Sequence, residues 1–343
     1  MIVRFGEFKE TWQTQSLYER IEQFIALVLA GLIAAVPAWG QDAAASYPSR
    51  PVRWVVPFPP GASNDIIGRL IGQKLTEAWG QQFVIDNRPG AGGLIGGDVV
   101  AKASPDGHTL LLANPAPNVN SVLLHKQPPY RINDLAPVVW LGYAPLIIVA
   151  SAKFPPNSAK ELLDYARANP GKSNWASSGI GSSLHIGLAL FRVATGADVT
   201  HVPYKGTAPA LADIVGGNIQ LMYTTSVSAD AQIKAGRVKV LGIAARKRQA
   251  VLPNVATLEE QGIKGAEAIV WFGMAAPAKT PRPIIEKLNR EVNKALQMPD
   301  VRQRLDQLGL EVEGGTAGKF EAFIKSEAAR LTQLIKAGAV QVE

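Results

Sequence analysis

Three stretches place small, hydroxyl-bearing residues and glycines directly after an apolar run and directly before a helical one. VVPFPPGASNDIIGRL spans Val55–Leu70, SNWASSGIGSSLHIGLALF spans Ser173–Phe191 and VTHVPYKGTAPALADIVGG spans Val199–Gly217. Ser63 or Asn64 suits the cap of the first helix, Ser182 or Ser183 that of the second, and Thr207 that of a third running from Ala208 to just before Gly216-Gly217. A helix that starts at a strand's end presents unpaired backbone N–H groups, which favour an anion without any basic side chain. Capture of a small anion is therefore the chemistry expected here. The candidate residues are Phe58, Gly61, Ala62, Ser63, Asn64 and Asp65 in the first turn, Ser178, Ser182, Ser183 and His185 in the second, and Lys205, Gly206, Thr207, Ala208 and Pro209 in the third. Asp65 is expected to cap backbone N–H groups or to meet a ligand's amino group. His185 either packs on its neighbours or donates into a pocket.

Other chemistries fit less well. The run Asn87–Gly96 (NRPGAGGLIG) is not a dinucleotide fingerprint, because after Gly90 and Gly92 the third glycine position holds Ile95. No Gly-Lys-Ser/Thr follows it, so it is not a P-loop and reads as a tight turn into a closely packed helix. His108, His125, His185 and His201 have no metal-ligand spacing, and the chain has no cysteine. We expect no metal, no organic cofactor and no disulfide. His201 reads as a structural strand residue and His108 as a turn residue. A secreted α/β hydrolase using Ser182 or Ser183 with His185 is the enzyme alternative, but no G-x-S-x-G elbow is present. The densest basic run, Arg246-Lys247-Arg248, lacks interleaved aromatics, which argues against nucleic acid.

The elements around these turns alternate. Strands are expected at Arg53–Val56, Phe83–Asp86, Thr109–Ala113, Val138–Leu141, Leu146–Ala150, Asn174–Ala176, Val199–Val202, Ile219–Tyr223, Val238–Ala244 and Val270–Ala275, with helices between most of them and terminal helices at Pro283–Leu296 and Phe320–Ala337. That pattern predicts an α/β fold with parallel sheets. Gly142–Pro145 and Trp271–Gly273 suit chain crossings, which gives a first domain of residues 46–146 and 270–343 and an inserted second domain of 147–269, joined by a two-strand hinge. Asn114 and Asn118, Thr225 and Ser226, and Trp271 and Phe272 are expected to read the far end of a ligand. Those types suit an acyclic dicarboxylate, an amino acid or an aromatic acid.

The 343 residues are 47% hydrophobic and 18% charged, with net charge +7, which is ordinary for a globular protein of two domains. Residues Phe24–Val36 form an uninterrupted apolar run, followed by the small residues Pro37-Ala38 and Ala43-Ala44-Ala45. This predicts a signal peptide over residues 1–45, cleaved after Ala38 or Ala45. The segment before it departs from a basic n-region, since Glu7, Glu10, Glu19 and Glu22 accompany Arg4, Lys9 and Arg20.

From Tyr47-Pro48-Ser49-Arg50-Pro51 onward the chain resembles the Bug family of periplasmic solute-binding proteins, the receptors of tripartite tricarboxylate transporters. The motifs that carry this are Val56-Pro57-Phe58-Pro59, Asn87–Gly93, Ser104-Pro105-Asp106-Gly107, His201–Gly206 with Ala208-Pro209-Ala210, and Leu252-Pro253-Asn254-Val255. The resemblance implies a type II periplasmic-binding-protein fold, with two α/β domains closing on the ligand like a Venus flytrap. It implies a ligand carboxylate gripped by the turns Phe58–Asp65 and Lys205–Pro209. The family's usual first turn, Ala-Gly-Gly-Ala-Thr-Asp, is Pro60–Asp65 (PGASND) here, with Ala62 in place of a glycine and Asn64 in place of a hydroxyl residue. It further implies a monomeric periplasmic receptor without catalysis, whose partners are a small carboxylate and the transporter's membrane subunits. A receptor that signals to a sensor kinase is the alternative within this class.

Overall fold

The structure, a computed structural model, describes residues 44–341. Apart from Ala44 and Ala45, the expected signal peptide lies outside the described residues. The unit that begins at Ser46 carries the fold.

Its elements run β1 (Val52–Val56), α1 (Ser63–Trp79), β2 (Phe83–Asn87), α2 (Leu94–Ala101), β3 (Thr109–Ala113), α3 (Ser121–Leu124), β4 (Leu135–Ser151), α4 (Ala159–Ala168), β5 (Asn174–Ser177), α5 (Ser183–Thr195), β6 (Thr200–Pro203), α6 (Thr207–Gly216), β7 (Leu221–Thr225), α7 (Ser226–Lys234), β8 (Val238–Ile243), β9 (Ile269–Pro277), α8 (Arg282–Gln297), α9 (Pro299–Gln307), β10 (Glu311–Val312) and α10 (Ala317–Lys336). The strand order is β2-β1-β3-β9-β4-β7-β5-β6, with β8 and β10 also paired to β4.

The expected parallel pairing holds within β1–β3 and within β5–β7, while β4 and β9 add antiparallel pairs. β1 is parallel to β2 and β3, and β5 is parallel to β6 and β7. β9 runs antiparallel to β3 and β4, and β4 runs antiparallel to β7 and β8. Helical crossovers link the parallel strands, whereas β4 and β9 carry the chain between two α/β halves and need no crossover. The strands expected at Val138–Leu141 and Leu146–Ala150 are one strand, β4. It passes through Gly142 and Pro145 with register shifts on its β9 side. Gly142 is required where β10 approaches, because a Cβ there would stand 2.2 Å from the Glu311 carbonyl oxygen. Between the two expected terminal helices lies a further one, α9, which Pro299 opens at its first position.

The first half of β4 pairs with β9 and the second half with β7 and β8, so the chain passes between halves twice, side by side. At the crossing, the Leu146 N–H donates to the Ala268 carbonyl (2.9 Å), and the Ala244 N–H donates to that of Leu146 (2.8 Å). Apolar side chains fill the interior on both sides of this crossing, and one cluster runs from Val55, Trp271 and Phe320 to Ile186 and Ala189 of α5. Trp54, Trp271, Phe272, Phe320, Trp175, Phe191 and Tyr223 are fully buried. Helices cover the sheets through apolar stripes, as in α8, which buries Ile284, Ile285, Leu288 and Val292.

Candidate anion-binding site

The first turn follows β1. The residue at the cap of α1 is Ala62, which has no side chain to cap with, so neither Ser63 nor Asn64 is the cap. Asp65 does the work instead, accepting the Gly61 N–H at 3.1 Å and pairing with Arg69 at 2.9 Å. Burial alone would raise the Asp65 carboxyl, but Arg69 and the Gly61 N–H outweigh it and hold it below the usual range. This frees Ser63 and Asn64 for other uses. The Asn64 side-chain oxygen accepts from the Asn114 amide at 3.1 Å. Asn114 is itself fixed, because its N–H donates to the Asn118 side chain (3.1 Å) and its side-chain oxygen accepts from the Ala116 N–H (3.0 Å).

Three more helix starts meet this one. Ser182 caps α5 by accepting the His185 N–H (3.3 Å), which leaves the Ser183 hydroxyl free. At α6 the cap position is Gly206, not Thr207, so the Thr207 hydroxyl is also free. At α7, Thr225 caps by accepting the Ser228 N–H (3.3 Å) and donates to the Ser228 hydroxyl oxygen (3.0 Å). That same oxygen accepts the Ser63 N–H at 3.2 Å, tying the starts of α1 and α7 together across the two halves.

All four starts line one polar cavity, whose wall includes Phe58, Ser63, Asn64, Asn114, Ser178, Ser182, Ser183, Thr207, Thr224, Thr225 and Ser228. Its volume is about 20 Å³, room for one ordered water. No charged side chain lines it. Ser63, Ser178, Ser183 and Thr207 turn their hydroxyl-bearing side chains to this wall, and the Thr224 hydroxyl, on a residue 1% exposed, is buried without a hydrogen-bond partner. The Thr224 hydroxyl, fully buried, costs on the order of 1–3 kcal/mol unless something fills it. Several hydroxyls on one wall, with four helix starts behind them, describe a site pre-formed for an acceptor-rich anion.

A second cavity, of about 300 Å³, shares Phe58 and Ser178 with the first and reaches Lys205 and the glycine turn Gly90–Gly93. That turn does pack tightly, as its sequence suggests: a Cβ on Gly92 would stand 2.1 Å from the Ile180 carbonyl oxygen.

Other sequence candidates lie elsewhere. His185 stacks on His201 with ring centroids 4.3 Å apart, and its Nδ1 accepts the Gly181 N–H at 3.2 Å. The pair borders a different surface hollow, beside Arg192 and the C-terminal segment. No hydrogen bond joins the His185 ring to Ser182 or Ser183, so the hydrolase dyad is not assembled. Trp271 and Phe272 are core residues, with Trp271 packed edge-on against Phe320 (5.5 Å); apolar size, not ligand contact, accounts for them. Asp65, Gly61 and Ala62 shape the first turn from behind, Gly206 forms the neck of α6, and Ala208 and Pro209 are exposed on its first turn. Sequence reasoning missed Thr224, Ser228 and Val270 on the polar wall. A signal existed in Thr224-Thr225-Ser226-Val227-Ser228, a fourth strand-to-helix turn rich in hydroxyls.

The model of the tripartite tricarboxylate transporter family receptor matches residues 67–340. A UPF0065 protein from the tcbD-tcbE intergenic region of Pseudomonas sp. (strain P51) is 41% identical over 311 residues, covering 90% of this chain and 93% of that protein. Among solved structures, an R. palustris protein with adipate is 32% identical at a TM-score of 0.83, covering 86% of this chain and 99% of that one. MatC from Rhodopseudomonas palustris, with bound malate, is 34% identical at 0.80, covering 84% and 100%.

Proposed function

The chain belongs to the tripartite tricarboxylate transporter receptor family, the Bug proteins, and on that premise we propose that it captures a small organic carboxylate between its two halves. The family is one of periplasmic solute receptors and not of enzymes. The observation that carries the carboxylate reading is the polar cavity. Four helix starts and the hydroxyl residues Ser63, Ser178, Ser183, Thr207 and Thr224, the last buried and unpartnered, face it without a single cationic side chain. A carboxylate supplies the acceptor lone pairs these donors lack, and the N–H dipoles supply the field that a salt bridge would otherwise give. The adipate and malate carried by two relatives support the same class.

The domains proposed are residues 46–146 with 270–343, and 147–269. The hinge lies where β4 and β9 run side by side, near Gly142–Pro145 and Val270–Gly273. A ligand touching both Ser63 and Thr207 binds the closed form better than the open one and shifts that equilibrium. Export through a signal peptide over residues 1–45, action as a monomer and delivery to transporter membrane subunits complete the reading.

Native mass spectrometry of freshly purified protein identifies the co-purified acid. A thermal-shift panel of adipate, malate, hexanoate and benzoate, each beside its methyl ester, tests the grip. An acid at about a hundred times its Kd adds about 2.7 kcal/mol of stability. Its ester adds none, because it lacks the anion. Equal stabilisation by ester and acid would overturn the carboxylate grip and leave the fold assignment intact.

A further inference from the structure

The two cavities differ in chemistry and are continuous through Phe58 and Ser178, which line both. The larger one, about 300 Å³, lies between the halves. The Gly90–Gly93 turn and Leu94 wall it on one side, and the turns Ser178–Gly181 and Pro203–Lys205 on the other. Its side chains include Phe58, Leu94, Leu124, Ile180, Pro203 and Tyr204. The Tyr204 hydroxyl is engaged outside it, donating to the Asp213 carboxylate at 2.6 Å, so the ring contributes its carbon face. No Asp or Glu lines either cavity, so no carboxylate there pairs with a ligand ammonium. The ionisable side chains on the larger wall, Lys205 and His125, are both exposed.

Resting on the carboxylate reading above, we propose that the ligand is a monocarboxylate with a compact apolar body. Its carboxylate sits in the polar cavity among the helix starts, and its hydrocarbon part passes Phe58 and Ser178 into the apolar cavity. An apolar cavity of about 150 Å³ accepts a benzene ring, so twice that volume accommodates a substituted ring or a chain of roughly six to eight carbons. A second carboxylate on that body would leave water for a wall mostly of proline, leucine, isoleucine and aromatic carbon, unless it reached the exposed Lys205 at the cavity's edge. An amino acid's ammonium would meet the same wall. The apolar body touches both halves, so it also favours the closed form.

Titration calorimetry on the whole mature protein, stripped of co-purified acid, tests this with two series. In the first, acetate, butanoate, hexanoate and octanoate lengthen only the apolar body, and benzoate gives it a ring. Affinity should rise about fourfold per methylene until the cavity is full. In the second, hexanoate is set against adipate and benzoate against terephthalate, pairs that differ by one terminal carboxylate. The monoacid should bind at least tenfold tighter in each pair. Ile180→Asp places an anion on the apolar wall and should weaken hexanoate and benzoate at least tenfold. Leu124→Trp, which fills the cavity without adding charge, should weaken octanoate more than butanoate. Adipate, terephthalate or malate binding tighter than the monoacids would overturn the apolar-body assignment and leave the carboxylate grip standing. Failure of every acid in the panel to bind would remove both readings together.

Discussion

Gly206 and Pro59 meet across the two halves: a Cβ placed on Gly206 would stand 2.6 Å from Cγ of Pro59 and 2.7 Å from its Cδ. Gly206 has φ 130°, a conformation that glycine adopts at little cost and other residues resist. It both opens α6 and allows the turn after β1 to lie against the turn after β6. That close approach of the two turns therefore depends on one missing methyl group.

Gly206→Ala should hold the halves apart and weaken ligand binding at least tenfold. Small-angle scattering of the variant with saturating acid should resemble that of the ligand-free protein. Strain at φ 130° would persist in the double variant Gly206→Ala/Pro59→Ala, but the clash would not. Partial recovery of affinity in the double variant identifies the clash as the cause. No recovery would mean that backbone strain alone is responsible.

Thr207→Ala should weaken carboxylate binding by about tenfold to a hundredfold, the value of one or two lost hydrogen bonds of about 1–3 kcal/mol in all. Because Gly206 holds the cap position, the ligand-free protein should keep its stability to within about 0.5 kcal/mol. Calorimetry and urea unfolding of the same preparations separate the two effects. An unchanged Kd would take the third turn out of the site.

Thr224→Val replaces a buried, unpartnered hydroxyl with a methyl of similar shape. The ligand-free protein should gain about 1 kcal/mol, since an unsatisfied group is removed from the interior. Carboxylate affinity should drop about tenfold. Stability and function moving in opposite directions is the signature of a group kept for its ligand. A loss of stability in the ligand-free protein would show that Thr224 is structural.

The stacked histidines predict acid sensitivity. Burial first, then His201 and Arg192, pull the His185 imidazole down to about 4. Burial and Arg192 lower His201 as well. The Gly181 N–H donates to Nδ1 of His185, a bond that only an unprotonated nitrogen can accept. A histidine in the unfolded chain titrates near 6.5, so between about pH 4 and 6.5 the unfolded chain binds more protons than the folded one. The stability this group supplies is complete above about pH 6.5 and is lost as pH falls toward 4. Wild type should lose up to about 3 kcal/mol more than His185→Gln between pH 7 and pH 4, read by denaturant midpoints at each pH. Parallel curves for the two proteins would refute the assignment.

Much of this protein is legible in its chain because the signals are local. The apolar runs at Thr109–Ala113 and Val238–Ala244, the helical spacing from Ile66 to Leu75 and the small polar residues after β1, β5 and β6 depend on neighbours a few positions away. The same local reading found the helix starts at Ser63, Ser183 and Thr207, and with them the anion chemistry. It mistook which residue does the capping, because Ala62 and Gly206 occupy cap positions that propensity assigns to Ser, Asn or Thr. That difference is itself informative: the hydroxyls withheld from capping are the ones left over for a ligand. What tertiary structure alone decided is which groups share a cavity. Thr224 and Ser228 join Ser63 only through the packing of α7's start against α1's, as the bond between Ser63 N–H and the Ser228 hydroxyl, 165 positions apart, shows. His185 sits in a glycine-gated helix start, yet it turns to His201, because the parallel pairing of β5 with β6 brings that ring alongside it. Trp271 and Phe272 look like ligand readers in one dimension and are core in three, since β9 is buried on both faces: Trp271 packs against Phe320 of α10, and Phe272, on the opposite face, is fully buried as well. Long-range pairing is governed by the whole sheet's packing, and no window of sequence contains that information.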